Sequence, residues 1–193
     1  MKLPTREEAL SLMAEAGCSQ HVIDHCIRVT KIALSLAETL KRRGFDIDLA
    51  LVEAGALIHD LGRSKTHGVE HGVVGGQLAL ELGLPTPLVR IIETHVGAGI
   101  TAEEAGKLGL PEGSYTPESL EEKVVAYADD IIEGDRVVNI EVTVEKFGKE
   151  LGDDHPALSR LRALHEEIVG LIGQEFKPDI DLSLPDERRG PVV

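Results

Sequence analysis

Between Ser19 and Arg43 the residues Val22, Cys26, Val29, Ala33, Leu36, Ala37 and Leu40 recur at three- and four-residue steps, drawing one apolar stripe along a long helix that Gly44 ends. Such a stripe must be buried against something. No convincing strand alternation and no internal repeat occurs in the chain, so other helices are its available partners. The fold class predicted is therefore all-α, a compact helical bundle, and 193 residues suffice for one domain with a substantial core.

The remaining segments fit that frame. Thr5 with Glu8 has capping-box spacing and starts a first short helix after Pro4. A third helix starts near Asp46 or Asp48, runs through Leu49, Val52 and Ala56, and is expected to stop at Gly62. "HGVVGGQLALELG" reads as a short glycine-rich helix, and Thr86 with Pro87 opens a fifth. Residues 97–116 read as a loop, with room for a helical turn at "TAEEAGKLG", and "TPESLEEKVVAYADDIIEG" repeats the Thr-Pro start. "VVNIEVTVEKFGKE" is β-branched, but a strand there has nothing to pair with in an all-α domain, so a loop running into a helix is expected. Leu158, Leu161, Leu164, Ile168 and Leu171 mark a last helix. The organisation expected is a helical core over residues 1–136, a C-terminal helical extension over 137–177 packing on it, and an extended or disordered tail over 178–193.

Charge narrows the function. A formal net charge of −14 with no basic stripe argues against nucleic acid as a partner, and three Phe, two Tyr and no Trp argue against a base-stacking platform. A small phosphorylated substrate stays open, because bound cations reverse the local field. No apolar run long enough to span a membrane occurs, "MKLPTREEALSLM" is not a signal peptide, and Cys18 and Cys26 make no disulfide framework. A cytoplasmic protein without a membrane partner is expected, and a homo-oligomer is allowed.

Polar residues on the apolar sides of these helices are the informative exceptions. His25 lies between Val22 and Val29, His59 follows Val52 and Ala56, His95 follows Leu88 and Ile91, and Asp129 follows Val125. Asp60 stands directly after His59. One inward His is most often a satisfied core residue, whereas an unpaired buried carboxylate costs several kcal/mol. Several helices each donating such a residue is how bundles build metal sites. Imidazole and carboxylate together suit Fe, Mn, Co, Ni or Zn, and the lack of cysteine ligands points away from a structural zinc.

The order His25, His59-Asp60, Asp129, with "HCIRV", "AGALIHDLG" and "YADD" around them, resembles the HD-domain metal-dependent phosphohydrolases over roughly residues 18–136. His71 in "EHGVVGG" and His95 in "IIETHVGAG" look like the two extra histidines of the six-ligand group, which includes symmetrical diadenosine tetraphosphate hydrolases. The resemblance implies a helical bundle with an interior metal site and six ligands, His25, His59, Asp60, His71, His95 and Asp129. It implies two divalent ions, Asp60 and His59 in the catalytic machinery, and cleavage of a phosphoester or phosphoanhydride bond of a nucleotide or dinucleoside polyphosphate by a metal-activated hydroxide. The segment between His95 and Asp129 is longer than in that group, and Arg63 stands where the family commonly has Lys. Both departures touch the substrate pocket more than the metals. Arg63, Lys65 and Arg136 are candidate phosphate binders, although each has an ordinary surface role as its alternative. His21 is expected in a solvent-exposed or capping role, His67 in a structural or solvent one, and His155 and His165 as surface residues. Two alternatives stay open: a mixed-valence di-iron oxygenase of the HD type, and a nucleotide-sensing HD domain without turnover.

Overall fold

A computed structural model describes residues 2–173, 176 and 180–184. The helices are α1 (Arg6–Ala16), α2 (Gln20–Arg42), α3 (Leu49–Ile58), α4 (His71–Glu81), α5 (Thr86–Thr94), α6 (Ala102–Leu108), α7 (Leu120–Asp130), α8 (Ile140–Leu151) and α9 (Pro156–Ile172). A 3-10 turn, Leu61–Ser64, follows α3, and a two-stranded hairpin, β1 (Ile132–Glu133) and β2 (Arg136–Val137), follows α7. The predicted all-α bundle is the architecture adopted. Among the described residues no helix is long and apolar enough to cross a membrane.

Local chemistry explains the boundaries. Thr5 and Glu8 form the reciprocal capping box at the start of α1, and Ser19 and Asp48 cap α2 and α3 through their side chains. The stripe of α2 is buried throughout, with Cys26, Val29, Ala33, Leu36, Ala37 and Leu40 inaccessible to solvent. Each large aliphatic side chain so buried stabilises the fold by about 1.5–3 kcal/mol before entropy is counted. That stripe packs on α3 and α7, α4 packs on α5 and on the 3-10 turn, and α9 lies against α7, α8 and α2. One apolar cluster spans α2, α7, α8 and α9, and a second spans α1, α3, α5 and the start of α2.

Four expectations are corrected. The third helix ends at Ile58 rather than Gly62, because the chain tightens into the 3-10 turn directly after His59 and Asp60. The fifth is capped by Pro85 with Thr86 already helical. The seventh starts from Ser119, whose hydroxyl accepts the Glu122 N–H; the Thr116-Pro117 pair belongs to the preceding loop, where Arg90 binds the Thr116 carbonyl. Val137 does find a strand partner, Ile132, because a turn at Gly134 brings the chain straight back before Asn139 caps α8. Of the expected tail, residues 180–184 run without regular structure across α2, where Lys31 Nζ donates to the carbonyls of Asp181 and Ser183 at 2.8 Å and Leu182 is buried. Residues 178–179 and 185–193 lie outside the described residues.

Candidate metal centre

Helix ends converge on one point. His59 is the C-cap of α3, Asp60 starts the 3-10 turn, His71 is the first residue of α4, His95 is the C-cap of α5, and Asp129 is next to last in α7. Only His25 comes from the body of a helix, α2. Close backbone approach makes the convergence feasible: a methyl group on Gly62 would lie 1.9 Å from the His71 carbonyl oxygen, and one on Gly75 would lie 2.9 Å from the Gly62 nitrogen. Gly62 and Gly75 thus let α4 lie on the turn that carries Asp60, while Gly72 and Gly76 let it lie on α5.

Ring orientation is set by the backbone. His59 Nδ1 donates to the Ala56 carbonyl at 2.8 Å, His71 Nδ1 to Gly68 at 2.7 Å, and His95 Nδ1 to Ile92 at 2.7 Å. A carbonyl only accepts, so each Nδ1 carries a proton and each ring turns its Nε2 inward, the atom that would offer a lone pair to a cation. His71 Nε2 then lies 2.9 Å from His95 Nε2, and these atoms lie 3.2 and 3.5 Å from Asp60 Oδ1. His59 Nε2 is buried without a hydrogen-bond partner among the described residues, 3.8 Å from Asp60 Oδ2 and 3.7 Å from Asp129 Oδ1. On the far side His25 Nε2 meets Asp129 Oδ1 at 2.8 Å.

Acceptors facing acceptors in a buried space repel one another unless positive charge stands between them. The donor set fits a divalent cation: Asp60, His71 and His95 form one group of ligand atoms, and His25, His59 and Asp129 form another, each with its atoms within 4.8 Å of one another. The electrostatics agree. Burial drives His59 down to about 4, which keeps it neutral and able to ligate. Burial opposes ionisation of Asp60 and Asp129, but the charge that the surrounding imidazoles carry when protonated, with the hydrogen bonds they then donate, outweighs it and holds both carboxyls below the usual range. For His25 burial acts downward, and the hydrogen bond and charge of Asp129 overcome it, so its pKa is raised. Burial and then the charge of Asp129 push the Asp130 carboxyl well up, and its buried Oδ2 has no hydrogen-bond partner among the described residues.

All six residues singled out from the sequence come together here. Of the three cations, Arg63 joins them: its Nε donates to Asp60 Oδ1 at 2.8 Å and its Nη1 to the His67 carbonyl at 3.4 Å. Lys65 is exposed at the end of the 3-10 turn, and Arg136 is exposed on the hairpin with its ion pair to Asp135 at 4.0 Å. His21 and His67 are exposed as expected. His155 caps α9 through its ring, and His165 is half-buried, with Nδ1 2.9 Å from the Tyr127 hydroxyl, so neither is a plain surface residue.

Two features escaped the sequence. Cys26, one residue after His25, is buried, and its sulfur lies within 4.8 Å of ligand atoms of His59 and Asp60. Helix α5, which ends in His95, is braced to α7, which carries Asp129, by Glu122: its Oε2 is 3.5 Å from Arg90 Nη2 and 3.4 Å from Thr94 Oγ1. Arg90 also donates to the carbonyls of Ser114 and Thr116, each at 3.1 Å. The only sequence signal for the brace was charge on an otherwise apolar helix, with nothing to say what it met.

A helical bundle with an interior His/Asp cluster fit for cations defines a helical metal-site protein. The sequence model of the HD domain matches residues 22–134, and the chain belongs to the HD-domain family, whose members bind divalent metals. It is 48% identical over 166 residues to protein MJ0778 of Methanocaldococcus jannaschii, covering 86% of this chain and 98% of that one. It is 37% identical over 174 residues to the tRNA (cytidine(56)-2'-O)-methyltransferase of Picrophilus torridus, covering 90% of this chain but 49% of that protein, so the chain spans about half of that relative's length. The fold is similar to the crystal structure of the L. monocytogenes phosphodiesterase PgpH HD domain in complex with cyclic-di-AMP, with TM-score 0.52, 14% identity, and coverage of 88% of this chain and 99% of that one.

Proposed function

We propose that the chain is a metal-dependent phosphohydrolase that cleaves a phosphoester or phosphoanhydride bond of a nucleotide or dinucleoside polyphosphate. The observation that carries this reading is the set of backbone-anchored imidazoles whose Nε2 atoms converge on the Asp60 carboxylate, a donor set that fits a divalent cation. Divalent cations held there lower the pKa of a bound water and neutralise phosphate oxygens. Each donor group would hold one ion, and Asp60, with Oδ1 towards His71 and His95 and Oδ2 towards His59, would serve both. Arg63 orients Asp60, and stands where a substrate phosphate would come to rest. Lys65 and Arg136, out on exposed loops, would meet only the distal phosphates of a longer substrate.

The family match and the phosphodiesterase named in the structural comparison support phosphorus as the reacting centre. They leave the bond and the substrate to this proposal. The match over residues 22–134, with α9 packed on α7 and α2, supports a core of residues 1–136 carrying an extension over 137–177. A cytoplasmic location agrees with this reading.

The test is a panel of phosphate esters, nucleotides, cyclic dinucleotides and dinucleoside polyphosphates, assayed with Mn, Co, Fe, Ni or Zn, beside the His59→Ala, Asp60→Ala double variant. Turnover of one class by the wild type and none by the variant is expected. Equal turnover by both would reject the site. Single-stranded RNA belongs in the same panel, because a relative is named for tRNA chemistry. Activity confined to RNA would move the substrate from a small nucleotide to a polymer.

A further inference from the structure

The two donor groups are built differently. The side chains of Asp60, His71 and His95 are at most 5% exposed, whereas His25 and Asp129 are 25% and 23% exposed, so the site opens to solvent on their side. Anchoring differs as well. His71 and His95 each hold a backbone carbonyl through Nδ1, as does His59, but His25 has its Nε2 on Asp129.

We infer that the two cation positions are unequal: the inner one, at Asp60, His71 and His95, is retained, and the outer one, at His25, His59 and Asp129, exchanges with free divalent cation in solution. This rests on the two-ion reading above. An ion leaving the inner group has no open side to leave by, since Asp60, His71 and His95 are each at most 5% exposed and both rings are held by backbone carbonyls through Nδ1. Its departure also requires α4 and α5 to part at the glycine contacts that seal them. An ion leaving the outer group lets His25 and Asp129 close on each other in the hydrogen bond seen here, which leaves His59 Nε2 as the one outer donor without a partner among the described residues. The outer position therefore has a path to solvent that the inner position lacks. Hydrogen bonds that orient ligating histidines are worth about 10–100-fold in metal affinity, and the inner group holds two of them against one in the outer group. The consequence is regulatory: the free cation level completes or empties the outer position while the inner ion stays.

The experiment uses the full chain loaded with Co, freed of excess metal and mixed with a chromophoric chelator, with release followed in time and the total taken by elemental analysis. Two phases of one equivalent each are expected, the slow one about 10–100-fold slower. His25→Gln should delete the fast phase and keep the slow one, and His95→Gln should do the reverse, with helical circular dichroism confirming that both fold. A single phase releasing two equivalents, or loss of the slow phase in His25→Gln, overturns the inference. A wild type that loads fewer than two equivalents overturns the two-ion reading with it. Biphasic release without turnover of any phosphate ester leaves the inference standing and overturns the phosphohydrolase reading alone.

Discussion

Gly62→Ala places one methyl group at the tightest backbone contact of the centre. The new Cβ would lie 1.9 Å from the His71 carbonyl oxygen and 2.7 Å from the Gly75 nitrogen, and both are backbone atoms that no rotamer change can move. Ordinary contact begins near 3.4 Å, so the turn and α4 must separate by about 1.5 Å. That shift carries His71 away from Asp60 Oδ1, now 3.2 Å distant, and from His95 Nε2, now 2.9 Å distant. Overpacking of this kind costs about 1–3 kcal/mol or more, and each kcal/mol lowers Tm by about 2–4 °C in a chain of this size. Gly106→Ala is the control: it is helical, exposed and without a neighbour within 4 Å of an added Cβ, so it should gain about 0.4–1 kcal/mol. Urea unfolding with an unchanged m-value, together with elemental analysis, reads both effects. Wild-type stability and wild-type metal content in Gly62→Ala would refute the claim that this contact sets the geometry of the centre.

Three further outcomes follow from other contacts. Thr5→Ala removes the half of the α1 capping box in which Thr5 Oγ1 accepts the Glu8 N–H at 3.2 Å, and should cost about 1 kcal/mol in thermal unfolding without changing metal content. Glu104 has its carboxyl below the ordinary value because the Thr101 backbone N–H and Arg160 outweigh burial, so its contribution is present above the unfolded value of about 4.3 and is lost as pH falls through the lower folded value. Glu104→Gln should therefore cost about 1–2 kcal/mol at neutral pH, a cost that shrinks as pH falls below about 4.3 and disappears once the folded carboxyl is protonated, as a pH series of urea titrations will show. The His59→Ala, Asp60→Ala variant should keep its helical circular dichroism while losing bound metal; wild-type stoichiometry in that variant would disprove the ligand assignment.

What could be read from the sequence was whatever local periodicity encodes. The α2 stripe, the Thr5 and Asp48 caps and the inward placement of His25, His59, His95 and Asp129 all follow from three- and four-residue spacing, and the structure has them. His71 came instead from resemblance, because a residue at the first position of a glycine-rich helix has no stripe to belong to. The rest depended on distant partners. Nothing near Arg90 announces Glu122, and His165 looked like a surface residue because Tyr127, which meets it, is far back in the chain. The hairpin at Ile132 and Val137 escaped because a strand of two residues is too short for alternation to show. Cys26 was counted as part of the apolar stripe, which it is, and its proximity to Asp60 arises only when α3 packs on α2.

The central claim, that these six residues form a hydrolytic rather than an oxidative centre, is tested most directly by turnover without oxygen in ¹⁸O-labelled water. With Mn or Co supplied and a dinucleoside polyphosphate or other turned-over ester as substrate, the account predicts undiminished anaerobic turnover and one ¹⁸O atom in the phosphoryl product per bond cleaved. Turnover that stops when oxygen is removed, or phosphoryl product that carries no label, would contradict it.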